Sequence, residues 1–313
     1  EISTALIALF LAGVNPGTGV GTIVGSAIFQ ILVVIGFAAV IKTSYLNWKP
    51  VIRDSVFYAF SIVLLIIFVK DGIFTVIEAS CFVGFYLVYL FILYLWAKHI
   101  EDMKDHNKKV DEEDAIEEVL KGEKKLEKKS HIVKLWRHIT YPLDLILKII
   151  PDPEKDHKWT YPVFFISLAV VGYSCYWLVL SAEAIAAFFK IHPSIIALTI
   201  LAGGSSIPEL ISSAIVSRQG RGDMAIANAI GSNIFDILMS LGLPLLIYTM
   251  INGDLTDIGG ANITSSIFLL FATLIMVISL LAAQKFKVTR IFGFFLIFLY
   301  IGYVFAAYMG YMG

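Results

Sequence analysis

The sequence predicts an all-α integral membrane protein of about nine spans, built around an internal repeat that crosses the membrane in opposite senses. Three observations carry that expectation. First, 58% of the 313 residues are hydrophobic and only 16% are charged, where a soluble domain is about 45–50% apolar and about 25% charged. The mean hydropathy is +0.82. Second, the apolar residues fall in long runs with helical rather than alternating period. Third, two segments far apart in the chain share a polar motif. A net charge of -1 excludes nucleic-acid binding by bulk attraction. The two cysteines, Cys81 and Cys175, cannot form a disulfide framework and are expected to be inert core residues.

A hydrocarbon core of about 30 Å needs about 20 apolar helical residues. The candidate spans are 1–12, 20–41, 51–69, 73–97, 160–182, 193–217, 224–250, 263–284 and 290–312. The first is short. It opens on Glu1 with no Met and no basic segment, so the reading expects a truncated N-terminus. Residues 1–97 are expected to form an N-terminal transmembrane half and 160–313 a C-terminal one. Between them, 98–159 carries 14 Lys/Arg and 15 Asp/Glu. Such a charge run reads as a solvated linker, and 131–150 within it as an amphipathic helix on the membrane surface. If 98–159 is cytosolic, then Lys42, Lys49, Arg53, Arg218, Arg221, Lys285, Lys287 and Arg290 also fall inside. Only Lys70 and Lys190 fall outside, and this excess fixes the expected orientation.

The repeat reads Glu1-Ile2-Ser3-Thr4-Ala5, then GSAIFQIL from Gly25 to Leu32, then Gly36. It recurs as Glu209-Leu210-Ile211-Ser212-Ser213, then GSNIFDIL from Gly231 to Leu238, then Gly242. Six of the eight residues in the second block are identical, and Glu leads Gly-Ser by 24 and 22 residues. The helices holding Glu1 and Glu209 are five spans apart, so the copies are inverted. Inverted repeats are the mark of secondary transporters, with the site at the midplane between the copies.

The residue types in the repeats suit a hard cation. Ala202-Gly203-Gly204-Ser205-Ser206-Ile207-Pro208-Glu209 places two glycines and a proline at mid-span, where both residue types weaken a helix. Irregular backbone at that depth belongs to a cavity or a site. Asp236 sits mid-span, with Ser232 and Ser240 one turn either side. An intramembrane carboxylate costs at least about 2.5–3.5 kcal/mol, and neither Glu209 nor Asp236 has a basic partner in its span. Carboxylates, hydroxyls and carbonyls favour Ca²⁺ or Na⁺, and the lack of nearby Cys or His disfavours zinc and copper. In the first copy Gln30 takes the place of Asp236, Ser26 that of Ser232 and Val34 that of Ser240. Glu78 and Glu183 read as snorkelling groups near outer span ends, and Asp223 as part of a loop.

GTGVGTIVGSAIFQIL (Gly17 to Leu32), GGSSIPELISS and GRGDMAIANAIGSNIFDIL (Gly220 to Leu238) resemble the two α-repeats of the cation/calcium exchanger superfamily. The resemblance is closest to its sodium/calcium exchangers and their potassium-dependent branch. It implies a ten-span inverted-repeat transporter fold, of which about nine spans are present here, and Ca²⁺/Na⁺ antiport with K⁺ co-transport left open. It implies Glu1 and Glu209 as central Ca²⁺ carboxylates. Ser205, Ser206 and Asp236 would line the cation sites, with Ser26 and Ser232 as Na⁺ ligands and Gln30 in the site of the first half. Gln30 stands where the family usually has Asn, Ser205 where it has Thr, and Glu209 where the potassium-dependent branch has Asp. No cofactor is expected. The expected partners are inorganic cations and the lipid bilayer, in a plasma or cell membrane.

Three rivals stand beside this reading. A Ca²⁺/H⁺ or other cation/proton antiporter would use the same acids as proton carriers. An intramembrane aspartyl protease would use the GxGD sequence at Gly220-Arg221-Gly222-Asp223, but it needs a second facing aspartate. A channel would suit midplane carboxylates but gives the inverted repeat no purpose.

Overall fold

In the computed structural model the described residues are 1–10, 16–104, 159–190, 193–256 and 261–310. The amphipathic segment expected at 131–150 and nearly all of the charged linker lie outside them.

The first half opens with α1 (Ile2–Phe10), then α2 (Pro16–Phe29), which runs through a π-helical stretch (Gln30–Val34) into α3 (Ile35–Ile41). Strand β1 (Ser44–Tyr45), α4 (Trp48–Val69), β2 (Ile73–Phe74) and α5 (Val76–Lys104) follow. Helix α6 (Thr160–Phe189) joins the halves. The second half begins with α7 (Pro193–Ile196), a second π stretch (Ala197–Leu201) and α8 (Ala202–Ser205). After a break comes α9 (Ile207–Arg218). Helix α10 (Gly222–Phe235) passes through a third π stretch (Asp236–Leu241) into α11 (Gly242–Asn252). Strand β3 (Leu255–Thr256), α12 (Ala261–Ala283), β4 (Lys287–Val288) and α13 (Arg290–Tyr308) complete it.

Seven of these helices, or helix runs, are long and apolar enough to cross a membrane, and the pair 197–205 with 207–218 makes an eighth, bent by 50°. Eight of the nine expected crossings are therefore present among the described residues. The ninth, α1, has nine residues and at about 1.5 Å per residue is too short to cross alone. Three boundaries differ from expectation. The span expected from 20 begins at Pro16, because proline fits a first helical turn that needs no N–H from it. Helix α6 runs seven residues past 182, to Phe189, and α5 seven past 97, to Lys104, since neither stretch contains a glycine or proline to stop it. The span expected at 193–217 is not one helix: it breaks at Ser206, two residues before Pro208.

The inverted repeat is visible element by element. By order within each half, β1 corresponds to β3 and β2 to β4. The observed pairs are β1 with β4 and β2 with β3, both antiparallel, as an exchange of halves requires. The same exchange relates α4 against α10 to α12 against α2, and α1 against α11 and α2 to α9 against α3 and α10. Gly36 and Gly242 occupy matching places in the motif. A Cβ at Gly36 would lie 2.9 Å from the Gly293 carbonyl oxygen on α13, and one at Gly242 2.7 Å from Cβ of Phe82 on α5.

By contact the chain divides into two units, Glu1–Leu93 with Cys175–Gly313, and Tyr94–Ser174. The first contains both copies of the repeat and a continuous apolar core that includes Ile23, Leu32, Tyr58, Phe82, Ile234 and Leu296. The second contains the facing ends of α5 and α6 and carries Phe164, Phe165 and Val170 on exposed surface. Cys81 is exposed and Cys175 half-exposed, so neither is a core residue. A span is apolar on its outward face too, and an apolar run does not identify its buried side.

The matched glycines Gly25 and Gly231 meet different surroundings. A Cβ at Gly25 would collide with the backbone of Leu198, 2.7 Å from its Cα, while one at Gly231 would meet nothing within 4 Å. Gly25→Ala should therefore lower thermal stability in detergent, by about 1–3 kcal/mol for overpacking, and Gly231→Ala should not. Equal melting temperatures for the two variants would contradict this packing.

Candidate functional site

The polar groups of the two repeats meet where α1, α2, the α8–α9 break and α10 come together. Each group is delivered by a local feature of the sequence. Ser26 and Gln30 are one turn apart on α2 and its π continuation. Ser232 and Asp236 are one turn apart at the same point of the second copy. Gln30 and Asp236 are each the first residue of a π stretch, and π turns inside α-helices recur at functional sites. Ser205 and Ser206 flank the break, where Ser206 leaves helical geometry at φ -95 and ψ 7.

The side chains form one connected line. Ser205 and Ser26 donate to Oε1 of Glu1 at 2.8 and 2.9 Å. The Ser26 and Ser206 hydroxyls are 2.6 Å apart, and with the Ser26 proton on Glu1 the donor is Ser206. Nε2 of Gln30 donates to Ser26 at 3.3 Å and to Oδ2 of Asp236 at 3.1 Å. Ser232 donates to Oε1 of Gln30 at 2.5 Å, and Ser240 to Oδ1 of Asp236 at 3.3 Å. Ser26, Gln30, Ser206, Asp236 and Ser240 are all buried.

Glu209 stands beside this line. Oε2 of Glu209 and Oε2 of Glu1 are buried with no hydrogen-bond partner among the described residues. All three carboxylates are near enough to repel one another. An unpaired buried carboxylate oxygen is costly unless a cation or donor meets it. Among the described residues no three carboxylates, imidazoles or thiols form a ligand group by themselves. Any ion held here therefore takes hydroxyl, amide or backbone oxygens together with the acids, which is the hard-cation chemistry of oxygen ligands. Gln30 brings no free amide oxygen to the centre in this state, because Ser232 occupies it.

All eight residues expected from the sequence lie in this region: Glu1, Ser26, Gln30, Ser205, Ser206, Glu209, Ser232 and Asp236. Seven belong to the connected line, and Glu209 joins through its charge. Two groups outside the expected set extend it. Thr18 and Thr22, at four-residue spacing with Ser26 and Gln30, are buried on the same stripe of α2. Thr18 donates to Oε1 of Glu183 on α6 at 3.0 Å. The only signal for Thr18 and Thr22 was that spacing, and nothing in the sequence linked α2 to residue 183.

Several readings of single residues need correction. Glu183 accepts an interhelical hydrogen bond instead of merely snorkelling. Glu78 accepts from the Thr75 backbone N–H and hydroxyl at 2.8 and 2.9 Å, while Thr75 accepts from the Glu78 N–H. That is a capping box at the start of α5. Asp223 lies in the first turn of α10, where its charge favours the helix N-terminus. The glycines of GxGD have packing roles. Gly220 has φ +90, and a Cβ at Gly222 would strike the Ser44 hydroxyl. The motif is thus explained by the approach of β1 to the α9–α10 turn, without a protease.

The sequence model of the family described as "Sodium/calcium exchanger protein" matches residues 1–95 and 159–309. Sodium/potassium/calcium exchanger 2 of Gallus gallus is 37% identical over 163 residues, which are 52% of this chain and 25% of that protein. The match therefore spans only a quarter of that relative's length. The fold is similar to that of the H⁺/Ca²⁺ exchanger CAX, with TM-score 0.63 and 15% identity, covering 96% of this chain and 69% of that one. It is also similar to the sodium-calcium exchanger NCX_Mj, with TM-score 0.53 and 22% identity, covering 96% and 78%.

The line of hydrogen bonds makes its own prediction. Gln30→Leu removes one acceptor and two donor contacts at once, leaving Ser232 and Asp236 without their link. It should destabilise the detergent-solubilised protein by about 1–3 kcal/mol, more than Ser232→Ala, which removes a single contact to Gln30. Thermal melts of the two variants that coincide would refute the bridging role of Gln30.

Proposed function

The chain belongs to the sodium/calcium exchanger protein family, and from that membership we propose that it is a secondary antiporter exchanging Ca²⁺ for Na⁺ by alternating access. It is a multi-pass membrane protein of a family of exchangers. The observation that carries the proposal is the pair of buried, unpartnered carboxylate oxygens, one on Glu1 and one on Glu209. They come from the two inverted copies and share one region with eight other polar groups. In this reading the ions are cargo, and no cofactor takes part.

Glu1 and Glu209 hold Ca²⁺, assisted by Ser205 and Ser206. Ser26, Ser232, Asp236 and Gln30 complete the set that receives Na⁺. The same oxygens serve both ions, so the ions compete. Empty carboxylates cross the low-dielectric core at high cost, while cation-loaded ones cross at low cost, and this couples the two fluxes. Three carboxylates carry one charge more than Ca²⁺ neutralises, and the third is held by K⁺ or a proton. The names of the relatives, which are sodium/potassium/calcium exchangers, favour K⁺. Residues 98–159 form the cytosolic linker between the halves, in a plasma or cell membrane.

Glu209→Gln should abolish Ca²⁺ uptake into proteoliposomes driven by an outward Na⁺ gradient, with an unchanged melting profile. Uptake at the wild-type rate would overturn the assignment, and uptake driven equally well by a pH gradient alone would make it a proton antiporter. Ca²⁺ flux should also fall when K⁺ is replaced by an inert cation, and Asp236→Asn should remove that dependence while keeping some Na⁺/Ca²⁺ exchange. Wild-type flux indifferent to K⁺ would assign the third charge to a proton.

A further inference from the structure

Helix α9 carries a feature that the central site does not use. Glu209, Ser213 and Ser217 are spaced i, i+4, i+8 and so share one face. Ser213 is 2% exposed and Ser217 fully buried. Oε2 of Glu209 and both serine hydroxyls have no hydrogen-bond partner among the described residues. The three unpartnered oxygens run from the central site toward Arg218, over about 12 Å of helix.

Serine in a helix has a ready local alternative, since its hydroxyl reaches back to a carbonyl one turn earlier. Ser55, Ser61, Ser80 and Ser174 all take it, donating to Val51, Phe57, Val76 and Val170. Ser212, the immediate neighbour, donates to the Glu209 carbonyl. Ser213 and Ser217 do not. Leaving a buried hydroxyl without a partner costs about 1–3 kcal/mol, so two in line with a carboxylate mark a surface that receives another partner.

The matching face of the first copy differs. Ser213 corresponds to Ala5 and Ser217 to Leu9, both buried. The one unpartnered hydroxyl there, on Thr4, begins no such run. Along α2, on the approach from the opposite end, the hydroxyls are already satisfied: Thr18 by Glu183, and Thr22 by the Thr18 carbonyl at 2.7 Å. Unsatisfied hydroxyls in line are thus confined to the half between Glu209 and Arg218.

We propose that Ser213 and Ser217 line the route by which hydrated cations pass between the central site and the Arg218 end, closed in this conformation against α10, α3 and the Gln30–Val34 stretch. The proposal rests on the exchange reading above. In the open state the two hydroxyls and Glu209 give a cation successive oxygen contacts as it sheds water. The opposite approach offers no such ladder, so entry from the two sides differs in its dependence on hydroxyls.

The test uses the full chain with Cys81 and Cys175 replaced by alanine, carrying S213C, S217C, A5C or L9C singly, in vesicles of defined orientation. A small charged methanethiosulfonate, which cannot cross the bilayer, is added from one side at a time, and modification is read by intact mass. A thiol in a dry apolar setting ionises poorly, so water access should raise the rate by about tenfold or more. S213C and S217C should react from the Arg218 side, more slowly under saturating Ca²⁺, and A5C and L9C should not react from the other side at comparable rates. Failure of both serine positions to react, reaction from the opposite side, or equal reaction of A5C and L9C would each overturn the proposal. Labelling needs no transport: reactive serine positions without Na⁺-driven Ca²⁺ uptake would refute exchange and leave the route standing. As a second measure, Ser217→Ala should raise the half-saturating Na⁺ concentration on the Arg218 side by about 2- to 10-fold and leave the other side unchanged. An unchanged value on both sides would count against the route.

Discussion

Three carboxylates lie within mutual repulsion in the middle of a membrane protein, and among the described residues none has a basic side chain as partner. The single ion pair there is Arg53 with Asp54, at 2.8 Å, on α4 and away from the motif residues. A charge cluster without a counter-charge cannot be stable in a dry core on its own. Its surroundings are ordered by that fact. Hydroxyls approach Glu1 from α2 and from the α8 break, and an amide approaches Asp236. Two carboxylate oxygens are left over, and a cation supplies what no side chain does. The bend at Ser206 and the π stretches at Gln30 and Asp236 belong to the same constraint, since all three occur where helices bring polar atoms to this point.

The two halves meet the constraint unequally. Gln30 and Asp236 are structural counterparts, yet they are joined by a hydrogen bond, so the neutral copy donates to the charged one. Gly36 and Gly242 keep the packing of the halves alike, each letting a crossing helix come close. Gly25 and Gly231 do not. The symmetry holds in the backbone and is relaxed in the chemistry, where a two-fold arrangement of charges would place one more carboxylate at the centre.

Much of this was legible in the sequence because the motif residues must recur at fixed spacing in both copies. The Glu, Gly-Ser and Gly positions of each copy, with the Gly203-Gly204 and Pro208 breakers, were enough to assemble the central region. Other features leave no trace there. Two-residue strands such as Ser44–Tyr45 are too short to show a period. A π turn changes the helix by one residue within a run that is apolar throughout. The Thr18–Glu183 bond joins residues 165 apart, which no local pattern reports. Cys81 was misplaced because lipid-facing and core-facing sides of a span have the same composition. Glu78 was misread for another reason: its partner Thr75 lies just before α5, and a capping box and a snorkelling acid look alike until the helix start is known.

The π stretches have a consequence for how such a chain tolerates insertions and deletions. A π turn is a helix that has absorbed an extra residue without breaking. Deleting one residue between Gln30 and Val34 would let the helix heal into a regular one. It would also swing everything after it by about 100°. Gly36 would turn away from Gly293 and a larger neighbour would be driven into the crossing with α13. The same holds between Asp236 and Leu241 for Gly242 and Phe82. Length in these two short stretches is therefore more constrained than composition. An apolar substitution at Leu32 or Leu238 is a local event, whereas a one-residue change of length re-aims half a span.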